Sequence, residues 1–195
     1  MIRAIIFDCF GVLYVEAKDA YFSHFPEHYD ELHDLNTRAD HGFIDRQTYT
    51  EAVAKITGVS VEETAKAFMK EHVINKPLID YIRNLKKHYK IGLLSNIGRD
   101  WMQDFFDEHQ LHDLFDAVVI SSQEGITKPN PLIFERTAER LGVSPDECIM
   151  IDDIKDNCDG AKAAGMRAIL FDAKADPQQL DNLIASYGGD YAGTA

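Results

Sequence analysis

Residues 1–14 have the sequence MIRAIIFDCFGVLY. Ile2, Ala4, Ile5, Ile6 and Phe7 form an apolar, largely β-branched run, the pattern of a strand buried on both faces. The run stops at Asp8, followed by Cys9, Phe10 and Gly11, before Val12 and Leu13 resume it. A carboxylate at the exit of a buried strand costs folding free energy unless something uses it. In an open α/β sheet, the carboxyl ends of the strands are where ligands bind. Position alone equally permits an aspartate that caps the exit turn, so the other strand ends must decide.

Downstream, the chain alternates. Lys76-Pro77 opens a helix with Leu78, Ile79, Ile82 and Leu85 on its inner face and Lys86 and Lys87 near its C-terminus. Residues 91–94 form a second buried strand that runs into Ser95-Asn96. Trp101, Phe105, Phe106 and Leu111 mark one further helix, residues 117–121 a third strand, and residues 123–128 a loop ending in Lys128. Asn130-Pro131 starts the next helix by the cap-then-proline rule. Ser144-Pro145-Asp146-Glu147 is a capping box leading to a fourth strand, 148–151, which ends in Asp152-Asp153. A helix then closes at Gly165, and residues 167–171 make a fifth strand. A short helix is expected within 177–187 and a frayed tail over 188–195. This alternation predicts an α/β fold, a Rossmann-like open parallel sheet with right-handed crossovers.

Between the first strand and this series, residues 15–75 carry only helical patterns. Phe22, Phe25, Tyr29, Leu32 and Leu35 recur at helical spacing among charges; Asp45 caps a helix over 46–57, ended by Gly58; Ser60-Val61-Glu62-Glu63 opens another. His24 and His28 lie a helical turn apart with His33 beyond, without a second ligand pair, and read as helix-surface histidines. The expected division is therefore a core of 1–14 and 76–195 with a helical unit of 15–75 inserted through hinges near Tyr14 and Lys76.

Composition limits the function classes. Twenty basic against thirty-three acidic residues give a net charge of −13, which argues against a general nucleic-acid surface. A small anion is still admissible, because one lysine and a few backbone N–H groups suffice to bind it. The three cysteines, Cys9, Cys148 and Cys158, are odd in number and read as reduced thiols. No apolar run approaches membrane-spanning length and the N-terminus reads as a strand rather than a leader, so a soluble, cytoplasmic protein without membrane contact is expected.

Four strand ends thus carry polar residues: Asp8, Ser95, the Lys128 loop and Asp152-Asp153. Together with the residues around them they resemble the motifs of the haloacid dehalogenase-like hydrolases: Phe-Asp-Cys-Phe-Gly-Val-Leu the first, Leu-Leu-Ser-Asn the second, Thr-Lys-Pro-Asn-Pro the third, and Ile-Asp-Asp-Ile-Lys-Asp-Asn the fourth. The resemblance implies sheet order five-four-one-two-three and a role for the inserted helices as a cap over the site. It further implies Asp8 as nucleophile and Mg²⁺ bound by Asp8, the main-chain carbonyl of Phe10 and Asp153, with Asp152 and Asn157 behind them. Ser95, Lys128 and the amides of Cys9 and Asn96 would bind the transferring phosphoryl group. The implied activity is hydrolysis of a small phosphate ester through an aspartyl-phosphate.

One residue departs from the pattern. Most phosphatases of the superfamily carry a second aspartate two residues after the nucleophile, acting as general acid and base, and here that residue is Phe10. Three readings follow: a phosphatase that obtains its proton elsewhere, a 2-haloacid dehalogenase, whose halide needs no protonation, or a binding protein that keeps the fold. The double aspartate favours the first, since an anionic haloacid is poorly served by additional carboxylates.

Overall fold

Alternate residues of the first strand go to opposite layers of the molecule. Ile5 and Phe7 pack in one hydrophobic cluster with Leu78, Ile82, Leu85 and Leu180; Ala4 and Ile6 pack in another with Ile133, Phe134, Ala138 and Ala161. A strand whose two faces are both covered has no polar side, which is why residues 4–7 contain no alternation of apolar and polar.

The computed structural model describes residues 1–15, 20–70 and 72–188, so the expected tail lies outside the described residues beyond Gly188. In chain order, β1 (Ala4–Phe7) leads through β2 (Tyr14–Val15) into α1 (Ala20–Ser23), α2 (Tyr29–Asp40), α3 (Arg46–Thr57) and α4 (Val61–Lys70), and the chain returns through β3 (Val73–Ile74). Then follow α5 (Lys76–Leu85), β4 (Lys90–Ser95), α6 (Glu108–Leu114), β5 (Ala117–Ile120), α7 (Ser121–Glu124), α8 (Pro131–Leu141), β6 (Cys148–Asp152), α9 (Lys155–Ala163), β7 (Arg167–Leu170) and α10 (Gln179–Ser186). The main sheet has the order β5-β4-β1-β6-β7 and its pairings are all parallel, which is the order the family resemblance implies. β1, at the centre, pairs with β4 on one side and β6 on the other, so the exits of all three lie side by side.

Two expectations change in detail. The single helix read over Trp101–Leu111 is broken: a 3₁₀ turn at Met102–Asp104 is followed by α6, which starts afresh at Asp107. Asp107 accepts from the Gln110 amide at 2.8 Å and its own N–H donates to the Gln110 side chain at 3.1 Å, a capping box that outcompetes continuation of the turn before it. The inserted segment is not purely helical at its ends either. β2 and β3 pair antiparallel, Tyr14 with Ile74 and Val15 with Val73, so the outgoing and returning chains form a two-stranded ribbon.

The inserted helices have a small core of their own, built from Tyr21, Phe22, Leu32, Leu35, Ile44, Tyr49 and Val53, into which Trp101 of the main body inserts. The α2–α3 turn rests on the loops after β4 and β5. The Ser121 hydroxyl donates to the Asp40 carbonyl at 2.6 Å, Arg46 pairs with Asp104 at 2.5 Å, and Gly42 lies so near Ser122 that a Cβ would stand 2.4 Å from its carbonyl oxygen. These loops leave the carboxyl ends of β4 and β5, so the helices sit at the end of the sheet where Asp8, Ser95 and Asp152 emerge.

Candidate active site

Lys128 is the centre of the polar cluster. Its side chain is nearly fully buried, and Nζ lies 2.7 Å from Oδ1 of Asp8 and 2.7 Å from Oδ2 of Asp152, bridging the exits of β1 and β6. Burial alone would lower the lysine pKa; the two carboxylates outweigh it and raise the pKa above its ordinary value, so the ammonium stays charged. The lysine reaches this position because its loop is clamped from the side. The Asn96 side chain donates to the Lys128 carbonyl at 3.0 Å and accepts from the Lys128 N–H at 2.9 Å. On the other flank, the loop lies against α9 at Gly160, where a Cβ would stand 2.1 Å from the Pro129 carbonyl oxygen.

Asp152 is fully buried and its oxygens are satisfied. Besides Lys128, it accepts from the Asn157 amide at 3.0 and 3.2 Å and from the Ile154 N–H at 2.9 Å. Asn157, at the start of α9, thereby joins that helix to the Asp152 carboxylate. Asp153 is exposed, and its carboxylate occupies the space that a side chain at Gly11 would need: a Cβ there would fall 2.1 Å from Oδ2. Gly11 also has φ +86°, a conformation that costs a residue with a side chain about 1–2 kcal/mol.

Oxygens of Asp8, Asp152 and Asp153 lie within 4.8 Å of one another. Three carboxylates against one ammonium leave two formal negative charges in a largely buried pocket, and an all-oxygen donor set of that charge suits a hard divalent cation. The Ser95 hydroxyl is the complementary feature. It is completely buried and has no hydrogen-bond partner among the described residues, a condition that costs about 1–3 kcal/mol. An acceptor oxygen supplied by a bound ligand would satisfy it.

The structure thus brings Asp8, Ser95, Asn96, Lys128, Asp152, Asp153 and Asn157 to one end of the sheet. The main-chain amide of Cys9, one of the expected donors, donates to Oδ1 of Asp8 at 2.7 Å, and the side chain of Asn96 holds the lysine loop. The ring of Phe10 packs edge-on against Phe105 at 4.9 Å and against His72 at 5.2 Å between ring centres, with Tyr14 at 6.4 Å. Gly11 and Gly160 were not singled out from sequence as parts of the site; the contacts that require glycine there come from Asp153 and Pro129, far away in the chain.

Residues 2–165 match the family model of the haloacid dehalogenase-like hydrolases. The chain belongs to this family. Among curated relatives, a phosphatase of Mycobacterium tuberculosis is 37% identical over 111 residues, covering 54% of this chain and 48% of the relative. The chain spans about half the length of the curated relatives it matches. Among solved structures, a haloacid dehalogenase-family enzyme of Bacteroides thetaiotaomicron, crystallised with magnesium and inorganic phosphate, superposes with a TM-score of 0.79 at 23% identity, over 92% of this chain and 99% of that one. The L-2-haloacid dehalogenase of Xanthobacter autotrophicus superposes with a TM-score of 0.64 at 21% identity, over 98% of this chain and 85% of that one. Both likenesses concern the fold.

Proposed function

We propose that this haloacid dehalogenase-like chain is a Mg²⁺-dependent phosphatase that hydrolyses a small phosphate ester through an aspartyl-phosphate on Asp8. The observation that carries this reading is the pairing of a lysine-held carboxylate with the buried hydroxyl of Ser95, which has no partner among the described residues. The first is a nucleophile held in place; the second is a donor waiting for a ligand oxygen. Asp8 and Asp153 would hold the Mg²⁺, which screens phosphoryl charge from the nucleophile when bound. Ser95 donates to a phosphoryl oxygen. Lys128 fixes the Asp8 carboxylate and supplies positive charge against the transferring group. Asp152 and Asn157 keep Lys128 in position. The helices over 15–75 act as a cap that shields the site from water and contacts the leaving group. The proposed setting is cytoplasmic, with small-molecule partners only; among the described residues no helix is long and apolar enough to cross a membrane.

A screen over phosphate esters with and without Mg²⁺ tests this directly. Turnover should require the metal and vanish in Asp8→Asn, and Asp153→Asn should lose the rise in melting temperature that Mg²⁺ gives the parent. Turnover persisting in Asp8→Asn would end the nucleophilic assignment. The aromatic Phe10 favours a second reading, 2-haloacid dehalogenation; chloride release from 2-chloropropionate without Mg²⁺ would select it.

A further inference from the structure

The groups around Asp8 also restrict which bond can be broken there, an inference that rests on the phosphatase reading. Expelling an alkoxide from a phosphate ester requires a proton at the leaving oxygen, whereas a departing carboxylate requires none. Of the proton-bearing groups of the described residues, those at the strand exits are committed, while the His72 imidazole packs edge-on against the Phe10 ring. Lys128 is held on Asp8 and Asp152 at 2.7 Å each, the Asn157 amide on Asp152, the Asn96 amide on the Lys128 carbonyl, and the Cys9 amide on Asp8. Ser95 keeps a hydroxyl, but an alcohol gains nothing by protonating an alkoxide. Two residues beyond Asp8, the half-buried phenyl ring of Phe10 stands with Phe105 and His72 packed on it, and the nearby Tyr14 hydroxyl donates to the Phe105 carbonyl at 2.5 Å.

We propose that the site serves phosphoryl donors whose leaving group departs unprotonated, and specifically acyl phosphates whose hydrocarbon portion lies against the Phe10–Phe105 wall. Asp8 attacks phosphorus, and the bond from phosphorus to the bridging oxygen breaks with its electron pair staying on that oxygen as a carboxylate; no proton moves. Water then adds to phosphorus, the bond to Asp8 breaks with its pair returning to the Asp8 carboxylate, and the surplus proton of the water passes to phosphate or solvent. Acyl phosphate and water give a carboxylate, inorganic phosphate and a proton.

The test measures kcat/KM of the parent with Mg²⁺ on acetyl phosphate, benzoyl phosphate, ethyl phosphate and glycerol 3-phosphate, with Asp8→Asn as the blank for spontaneous hydrolysis. Acyl phosphates should exceed alkyl phosphates by about 10²- to 10⁴-fold, the range a general acid would otherwise supply. Phe10→Asp, where it folds, should narrow that ratio at least about tenfold by raising the alkyl rates. The parent series decides by itself if Phe10→Asp does not fold. Alkyl phosphates cleaved as fast as acyl phosphates would overturn the inference while leaving the phosphatase reading intact. Loss of such alkyl activity in His72→Gln would identify His72 as the proton source and overturn it equally. No phosphate released from any of the four would remove the phosphatase reading and this inference together.

Discussion

Lys128 shows how one residue can hold a buried acidic site together. It brings two carboxylates within 2.7 Å of a single ammonium, and removing it leaves them buried and uncompensated. Lys128→Met should destabilise the fold by about 3–5 kcal/mol, measured by urea unfolding at neutral pH. The pH dependence follows from the direction of its shift. Because the folded pKa is raised, the contribution of the lysine is complete at every pH below its unfolded value and is lost only as the pH climbs through the folded one, in strongly alkaline solution. Between about pH 6 and 9 the lysine itself therefore adds no slope to the difference between variant and parent. A difference that shrinks as pH rises within that window would mean that Lys128 is not held as a charged partner. Cys158 illustrates the reverse case of burial: desolvation pushes its thiol up to about 11, and the thiol reads as packing rather than as a reactive group.

At the scale of elements, the caps carry much of what could be read in advance. Asp45 closes α3 by accepting from the Thr48 N–H at 2.8 Å, and Gly58 ends it at φ 71°. Asp45→Ala should lower the urea midpoint at neutral pH. That hydrogen bond holds the carboxyl below its usual range, so the cap's contribution is present above the unfolded pKa and lost as pH falls through the folded one; variant and parent should converge in acid. The strands of the main sheet were legible for the same reason as α3, since apolar runs, caps and turn residues are local signals, whereas their order was implied only by the family resemblance. What was not legible is long-range. The β2–β3 ribbon has two residues on each side separated by the whole inserted segment, and no local pattern marks it. Neither Gly11 nor Gly160 announces its neighbour, because the space they leave is filled by Asp153 and Pro129 from distant parts of the chain. The break before α6 went unread because aromatic spacing suggested continuity while Asp107 and Gln110 started a new helix. In the site, the residues at strand exits were visible one by one; that Asn96 clamps the lysine loop through its side chain was not, since the bond spans 32 positions.

For the molecule as a whole, the seat of the inserted helices on the main body is the feature most open to measurement. Trp101, the single tryptophan, lies in that seat, packed edge-on against Tyr49 at 4.8 Å between ring centres. Gly42 meets Ser122 there at φ +74°, with no room for a Cβ. Gly42→Ala should therefore weaken the seat by about 1–2 kcal/mol from backbone conformation alone, before the clash is counted. Tryptophan emission should shift to the red at lower urea than the loss of helical circular dichroism, whereas in the parent the two should coincide. Coincident transitions in the variant would show that insertion and main body unfold as one unit.

The ribbon of β2 and β3 has a consequence for how such a chain can change. Because Tyr14 pairs with Ile74, the points where the chain leaves and re-enters the main body are about 5 Å apart, bound to each other rather than to the inserted helices. The Asn75 N–H donates to the Leu13 carbonyl at 2.8 Å and extends that join by one more bond. A junction of this kind is a socket. Any unit with adjacent ends could be grafted into it without cutting a strand of the parallel sheet, so the inserted segment could be exchanged while the exits of β1, β4 and β6 are inherited unchanged.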